Sequence, residues 1–321
     1  MTHKISRFRN RIHRFRRQRR DSQYGQWRDR KLDHQHITQP LPIDYVCKST
    51  DFFDCGEERV AALLQRRPEV EDLERYIDKL REQFKRTHEP LDGLTALLAQ
   101  APRASLAQIQ MDAYPHGYRN KKERLFELID FNDTLMDTIL TSSGENREAF
   151  RVRAKQAADR VCQRVGAPVF TEDQWTAIIR GLTREIAVYV AARNSGFNAW
   201  LTDRAHDALG VDIQVQDPAS GHYINIDVKT PSSFRRRMEL LVQEGRLTEQ
   251  QLIDGDKNSF IIEHNGPAND KVQVIVLCIL PDLFGELVDW RFVDSEPMRR
   301  MLNRLIHDYG INDGKYGKLL G

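Results

Sequence analysis

Val211-Asp212-Ile213-Gln214-Val215-Gln216 and Tyr223-Ile224-Asn225-Ile226-Asp227-Val228-Lys229 alternate apolar and polar residues with period two, the pattern of strands that bury one face. The residues between them, Asp217-Pro218-Ala219-Ser220-Gly221, are turn formers, so the two runs should form an antiparallel hairpin. The register follows from arithmetic. If Asp217 pairs with His222, opposed residue numbers sum to 439. Val211 then faces Val228, Ile213 faces Ile226 and Val215 faces Ile224, which makes one face wholly β-branched. The other face sets Gln214 against Asn225 and Asp212 against Asp227, with Lys229 on the same side two residues further on. A slip of one residue would turn one strand's apolar set outward; a slip of two would make the carboxylates diagonal neighbours.

Like charges directly across a ladder destabilise it. A divalent cation removes the repulsion, and an oxygen-rich site of this kind suits Mg²⁺, with Mn²⁺ as a substitute. Such an ion polarises a phosphoryl oxygen and acidifies a water, while Lys229 beside it holds or deprotonates that water or stabilises developing charge. These residues therefore read as a phosphodiesterase site. A third carboxylate comes from a helix expected over 172–194, opened by Thr171 as N-cap with Gln174 at the capping-box spacing. Its apolar stripe runs through Trp175, Ile178, Ile179, Leu182, Ile186, Tyr189 and Val190, and Glu185 shares that side. A glutamate there needs a partner. It either joins the two aspartates, or reaches solvent, or pairs with Arg180 or Arg184.

An acid-x-Lys triplet alone is uninformative: it occurs at Asp29, Asp313 and Asp227, about as often as chance predicts. What separates Asp227-Val228-Lys229 is its seat on a buried-face strand, opposite a second acid and after a helix with a third. In this order Glu185, Gly210-Val211-Asp212-Ile213 and Ile226-Asp227-Val228-Lys229 resemble the PD-(D/E)XK nuclease superfamily, with Val211 in place of the proline of that name. The resemblance covers roughly 172–280 and leaves the preceding region unexplained. It implies a restriction-endonuclease-like α/β fold, a mixed sheet flanked by helices, and Mg²⁺-dependent hydrolysis of DNA. It also implies Asp212 and Asp227 as metal ligands, the Val228 carbonyl as a further ligand, Glu185 as an auxiliary one, and Lys229 as the water-positioning base or charge stabiliser.

Outward from this hairpin, Asp203 and Asp207 precede it and either face the same site or lie on the surface. Gln214 and Asn225 either touch substrate or fill a polar sheet face. Just after Lys229, Ser232 or Ser233 is placed to cap a helix whose first turn carries Arg235, Arg236 and Arg237 where acids are usual, which suggests phosphate contacts. Further short strands are expected at 197–201, about 259–263 and 272–280, and a helix at about 297–309. Together these describe an α/β domain over 166–321. Residues 32–165 read as a mainly α-helical region: irregular to Asp54, then from about Glu57 helical in five or six segments, among them about 91–100, about 120–141 and about 145–165, punctuated by Pro68, Pro90, Pro102 and Pro115.

Residues 1–31 hold twelve Lys or Arg against two Asp, a charge of +10, so the remaining chain carries −8 to give the net +2. This basic arm, which includes Arg14, Arg16 and Arg17, is expected to be disordered alone and to bind a polyanion, with nucleic acid and an anionic membrane both open as surfaces. No run approaches the roughly 20 apolar residues that span a bilayer, and mean hydropathy is −0.61, so a cytoplasmic protein is the expectation. Four cysteines in 321 residues do not suggest a disulfide framework. His34, His36, Cys47 and Cys55 have zinc-binding atoms at spacings that match no strong template. The rival to an active nuclease is a nucleic-acid-binding or assembly protein whose nuclease-like domain is inert.

Overall fold

The computed structural model describes residues 47–65, 70–113, 122–142, 146–202, 207, 210–245, 247–248, 250, 259–265 and 271–312. The basic arm, with Arg14, Arg16 and Arg17, lies outside them, as do Asp203, His34 and His36. The described residues form a mixed α/β structure within one compact unit, 46–321.

Five helices come first: α1 (Phe52–Gln65), α2 (Val70–Thr87), α3 (Pro90–Asp112), α4 (Lys122–Thr141) and α5 (Arg147–Arg164). The central one is α3, whose Ala96, Ala99, Ala101, Ala104 and Ala107 let its neighbours approach closely. It starts with Pro90 at its first position, where a missing N–H costs nothing, and it runs through Pro102, where the sequence predicts a break. Burial on several sides outweighs the backbone bond forgone there. Arg59 and Asp92 form a buried ion pair at 3.0 Å inside this bundle, with Gln83 donating to the second Asp92 oxygen at 2.8 Å. Cys47 and Cys55 are joined as a disulfide, with Cα atoms 5.3 Å apart. That pairing takes both sulfurs out of the zinc reading.

Helix α6 (Glu172–Asn194) opens with the expected capping box between Thr171 and Gln174. It serves two cores. Trp175, Ile179, Leu182 and Ile186 pack among the helices with Phe131 and Phe170, while Ala187, Val188, Ala191 and Ala192 pack on the sheet.

The sheet has five strands in the order β1-β2-β3-β5-β4: β1 (Asn198–Leu201), β2 (Ile213–Gln216), β3 (Tyr223–Lys229), β4 (Ser259–Asn265) and β5 (Lys271–Cys278). β3 and β5 are parallel and the other pairings antiparallel. Helix α7 (Pro231–Gln243) follows β3 and covers one face through Phe234, Met238 and Leu241. Helices α6 and α9 (Glu296–Tyr309) cover the other. Between β5 and α9 come the short α8 (Pro281–Phe284) and a hairpin of β6 (Leu287–Val288) and β7 (Arg291–Phe292). The turn of that hairpin, Asp289-Trp290, has φ of 45° and 61°, and it buries the Trp290 indole among the helices.

The predicted register holds in the β2–β3 ladder, where Ile213 pairs with Ile226, Gln214 with Asn225 and Val215 with Ile224. Asp217 N–H donates to the His222 carbonyl at 2.9 Å, and Gly221 closes the turn at φ +74°, a conformation that favours glycine. The ladder departs from expectation at its far end. Asp212 N–H donates at 2.9 Å to the carbonyl of Ile226, the residue already paired with Ile213. Two residues therefore lie against one, which is a β-bulge, and the chain turns over beyond it. Val211 accordingly packs with Phe234, Met238 and Val276 on the α7 side, instead of facing Val228 on the α6 side.

Candidate active site

The bulge decides what the acids can do. In a regular ladder the Val228 N–H would meet the Val211 carbonyl. Here that carbonyl accepts from the Thr202 hydroxyl, and Asp212 Oδ2 takes the Val228 N–H at 2.7 Å. A side-chain oxygen thus replaces a main-chain one at the end of the sheet. Gly210, just before, has φ +80°; a Cβ there would lie 3.6 Å from Asp227 Oδ2 and 3.9 Å from the Arg237 guanidinium. Those are ordinary contacts, so it is the sharp turn at positive φ that calls for glycine at 210.

Three oxygens converge on the Lys229 ammonium. Asp227 Oδ1 is ion-paired with it, Asp212 Oδ2 lies 3.5 Å away, and the Val228 carbonyl accepts from it at 3.3 Å. These belong to three of the four residues singled out as ligands from sequence, Glu185 being the fourth. Asp227 is 1% exposed, and its Oδ1 accepts no hydrogen bond of regular geometry. Burial pushes the Asp227 carboxyl up to about 7, against the pull of Lys229, with Asp212 adding to the rise. Burial alone would lower the Lys229 pKa; Asp212 and Asp227 outweigh it and hold the ammonium above its ordinary range.

Glu185 faces this group from α6. Its carboxyl is raised by burial first and then by the negative charge of Asp212, partly offset by Lys229. It is not paired with Arg180 or Arg184; the Arg184 guanidinium instead donates to the Arg180 carbonyl at 2.8 Å. Asp207 belongs to the same cluster, raised by burial and then by Asp212 and Asp133. Asp133 of α4 is a member that sequence reasoning missed: burial pushes it to about 7, Arg81 opposes the rise, and its charge acts on both Glu185 and Asp207. Its only sequence signal is an acid beside the apolar stripe of α4.

Other expected residues divide. Gln214 donates to Asn225 at 3.1 Å and Asn225 to the Gln273 carbonyl at 3.0 Å, so this buried pair is bonded within the sheet. Helix α7 is capped by Thr230, whose Oγ1 accepts the Ser233 N–H at 3.2 Å, rather than by Ser232 or Ser233. Pro231 explains the shift, since proline favours the first helical position. Arg235 and Arg236 are exposed, while Arg237 is half-buried and its charge acts on Asp227.

Among the described residues, no three or more His, Cys, Asp or Glu side chains are gathered so as to hold a metal ion as they stand. The donors that do converge are two carboxylates and one backbone carbonyl around a single positive charge. That all-oxygen set, with the nearly unexposed Asp227 Oδ1 met by the Lys229 ammonium alone, fits Mg²⁺, which binds through one or two carboxylates and keeps several waters. No helix among the described residues is long and apolar enough to cross a membrane. No protein-family model matches the chain, and no curated protein or solved structure matches it.

Proposed function

We propose that the chain is a Mg²⁺-dependent nuclease that hydrolyses phosphodiester bonds in DNA, on a restriction-endonuclease-like α/β domain. The observation that carries this reading is the convergence of Asp212 Oδ2, Asp227 Oδ1 and the Val228 carbonyl on one cation at the end of β3. Those three groups would hold Mg²⁺. When bound, that ion supplies Lewis-acid polarisation of a phosphoryl oxygen and lowers the pKa of a water.

The remaining chemistry belongs to side chains. Lys229 stays protonated between its acids, so it acts as a donor to phosphoryl oxygen and offsets developing negative charge, rather than as a base. Glu185, with a carboxyl lifted by burial and by Asp212, takes the proton of the attacking water. Glu185, Asp207 and Asp133 are raised by burial and by neighbouring acids, so a divalent ion among them would relieve that repulsion and favour their ionised forms. The +10 arm supplies affinity for the polyanion that the −8 remainder lacks.

The position of Lys229 also favours a second reading: an inert nuclease-like domain in a nucleic-acid-binding or assembly protein. Its ammonium already neutralises the two aspartates. One experiment separates the two: supercoiled, linear and single-stranded DNA incubated with Mg²⁺, Mn²⁺ or EDTA. The nuclease reading expects metal-dependent cleavage that Asp227→Ala and Lys229→Ala each abolish with the fold intact. Cleavage that persists in an Asp212→Ala/Asp227→Ala variant refutes it, and binding without cleavage favours the inert domain.

A further inference from the structure

We infer that Arg184 and the cavity it lines bind a second phosphate group of the polynucleotide, beside the one under attack. The inference rests on the nuclease reading and extends it to substrate positioning. Arg184 precedes Glu185 on α6 and lines a cavity of about 290 Å³ with Ile279, Pro281, Gly285, Glu286 and Leu287. Ile279 N–H donates to the Lys229 carbonyl at 3.0 Å, so the cavity wall begins beside the candidate site. This is the carboxyl end of the parallel pair β3–β5, the side on which open α/β sheets bind ligands.

The guanidinium is the unusual member of the cavity. Among the described residues its one hydrogen bond goes to the Arg180 carbonyl; its buried Nε has no partner, as is also true of Arg59 and Arg147, but unlike theirs its guanidinium meets no carboxylate. The charges that act on it are another cation, Arg180, and the Cys278 thiol, with no carboxylate among them. Other part-buried arginines here are matched: Arg59 with Asp92, Arg103 with Glu74 and Glu127, Arg147 with Asp289. Glu286 stands exposed at the rim and is not one of the charges felt by Arg184. Arginine stays charged even where burial works against it, and its planar fork matches a phosphate. The Arg184 charge in the lining, with Arg180 acting on it from one turn away, disfavours a metal ion in this cavity and favours an anion. A strand whose scissile phosphate lies at Lys229 would carry its next phosphate towards this cavity, whose Ile279 wall is bonded to the Lys229 backbone.

The test uses the full chain in EDTA, with binding of a labelled DNA oligonucleotide followed by anisotropy from about 50 to 200 mM salt. Arg184→Gln is expected to lose affinity roughly tenfold and to lower the slope of log K against log salt by about 0.9, the signature of one phosphate left unneutralised. Arg184→Lys should restore the slope but not the full affinity, because the fork is gone. If Arg184→Gln fails to fold, Arg184→Lys decides: unchanged affinity overturns the inference and a several-fold loss at unchanged slope supports it. Weaker binding by a folded Arg184→Gln at unchanged slope means a structural role and also overturns it. Wild-type cleavage in Mg²⁺ with binding indifferent to both variants sinks the phosphate site alone, whereas a wild type that neither binds nor cleaves DNA sinks the nuclease reading with it.

Discussion

Replacing Asp227 by asparagine should stabilise the fold and remove the chemistry together. The carboxyl is 1% exposed and titrates near 7 instead of the ordinary 3.8. At about 1.36 kcal/mol per pH unit between those values, holding it ionised in the folded state costs roughly 4 kcal/mol, with the attraction of Lys229 already included. The native carboxyl binds its proton more tightly than the unfolded one, so stability rises as pH falls from about 7 to about 4, and the full cost stands above pH 7. Asparagine resembles the protonated acid in shape and carries no such cost. Asp227→Asn should therefore match the wild type near pH 4 and exceed it by up to roughly 4 kcal/mol at pH 8, about 7 °C in Tm for a unit of this size. Denaturant unfolding in EDTA at several pH values measures this. Mg²⁺ at about 100 times its Kd should add ~2.7 kcal/mol to the wild type and far less to the variant. A variant less stable than the wild type at pH 8, or a difference equal at pH 4 and 8, refutes the argument from burial.

Lys229→Met leaves Asp212 and Asp227 unneutralised; it should abolish cleavage and cost about 3–5 kcal/mol at pH 8, shrinking towards pH 5 as Asp227 protonates, as thermal melts would record. Deleting residues 1–31 removes a charge of +10 and should weaken DNA binding with a shallower salt dependence, by about 0.9 in log–log slope for each phosphate the arm had neutralised. Thr171→Ala removes the cap of α6 and should cost about 1 kcal/mol by denaturant unfolding.

Much of the sheet was legible because its signals are local. Period-two alternation and the Asp217–Gly221 turn name both the hairpin and its register, and the Thr171–Gln174 spacing marks the start of α6. The bulge at Asp212 was not legible. Arithmetic carries a regular ladder one step too far, and a bulge changes which face a residue meets without changing residue type, so Val211 is assigned to the wrong core. The cap at Thr230 is readable from Pro231, yet the serines after it compete as capping residues. Asp133 could not be found, because its nearness to Glu185 is made by the packing of α4 on α6, a long-range approach with no pattern of its own. Pro102 misleads for the opposite reason: a strong local breaker is overruled by burial.

The β6–β7 hairpin ties the two ends of the described chain into one fate. Trp290 is 1% exposed among the helices, its Nε1 donates to Glu148 at 3.1 Å, and Asp289 accepts from the Arg147 amide at 2.8 Å. A polypeptide halted anywhere between α6 and residue 289 would leave an indole-sized hole in a bundle encoded more than a hundred residues earlier. During synthesis, that place in the bundle stays unfilled until Trp290 has emerged, so damage at the hairpin is felt at Arg147 and Glu148.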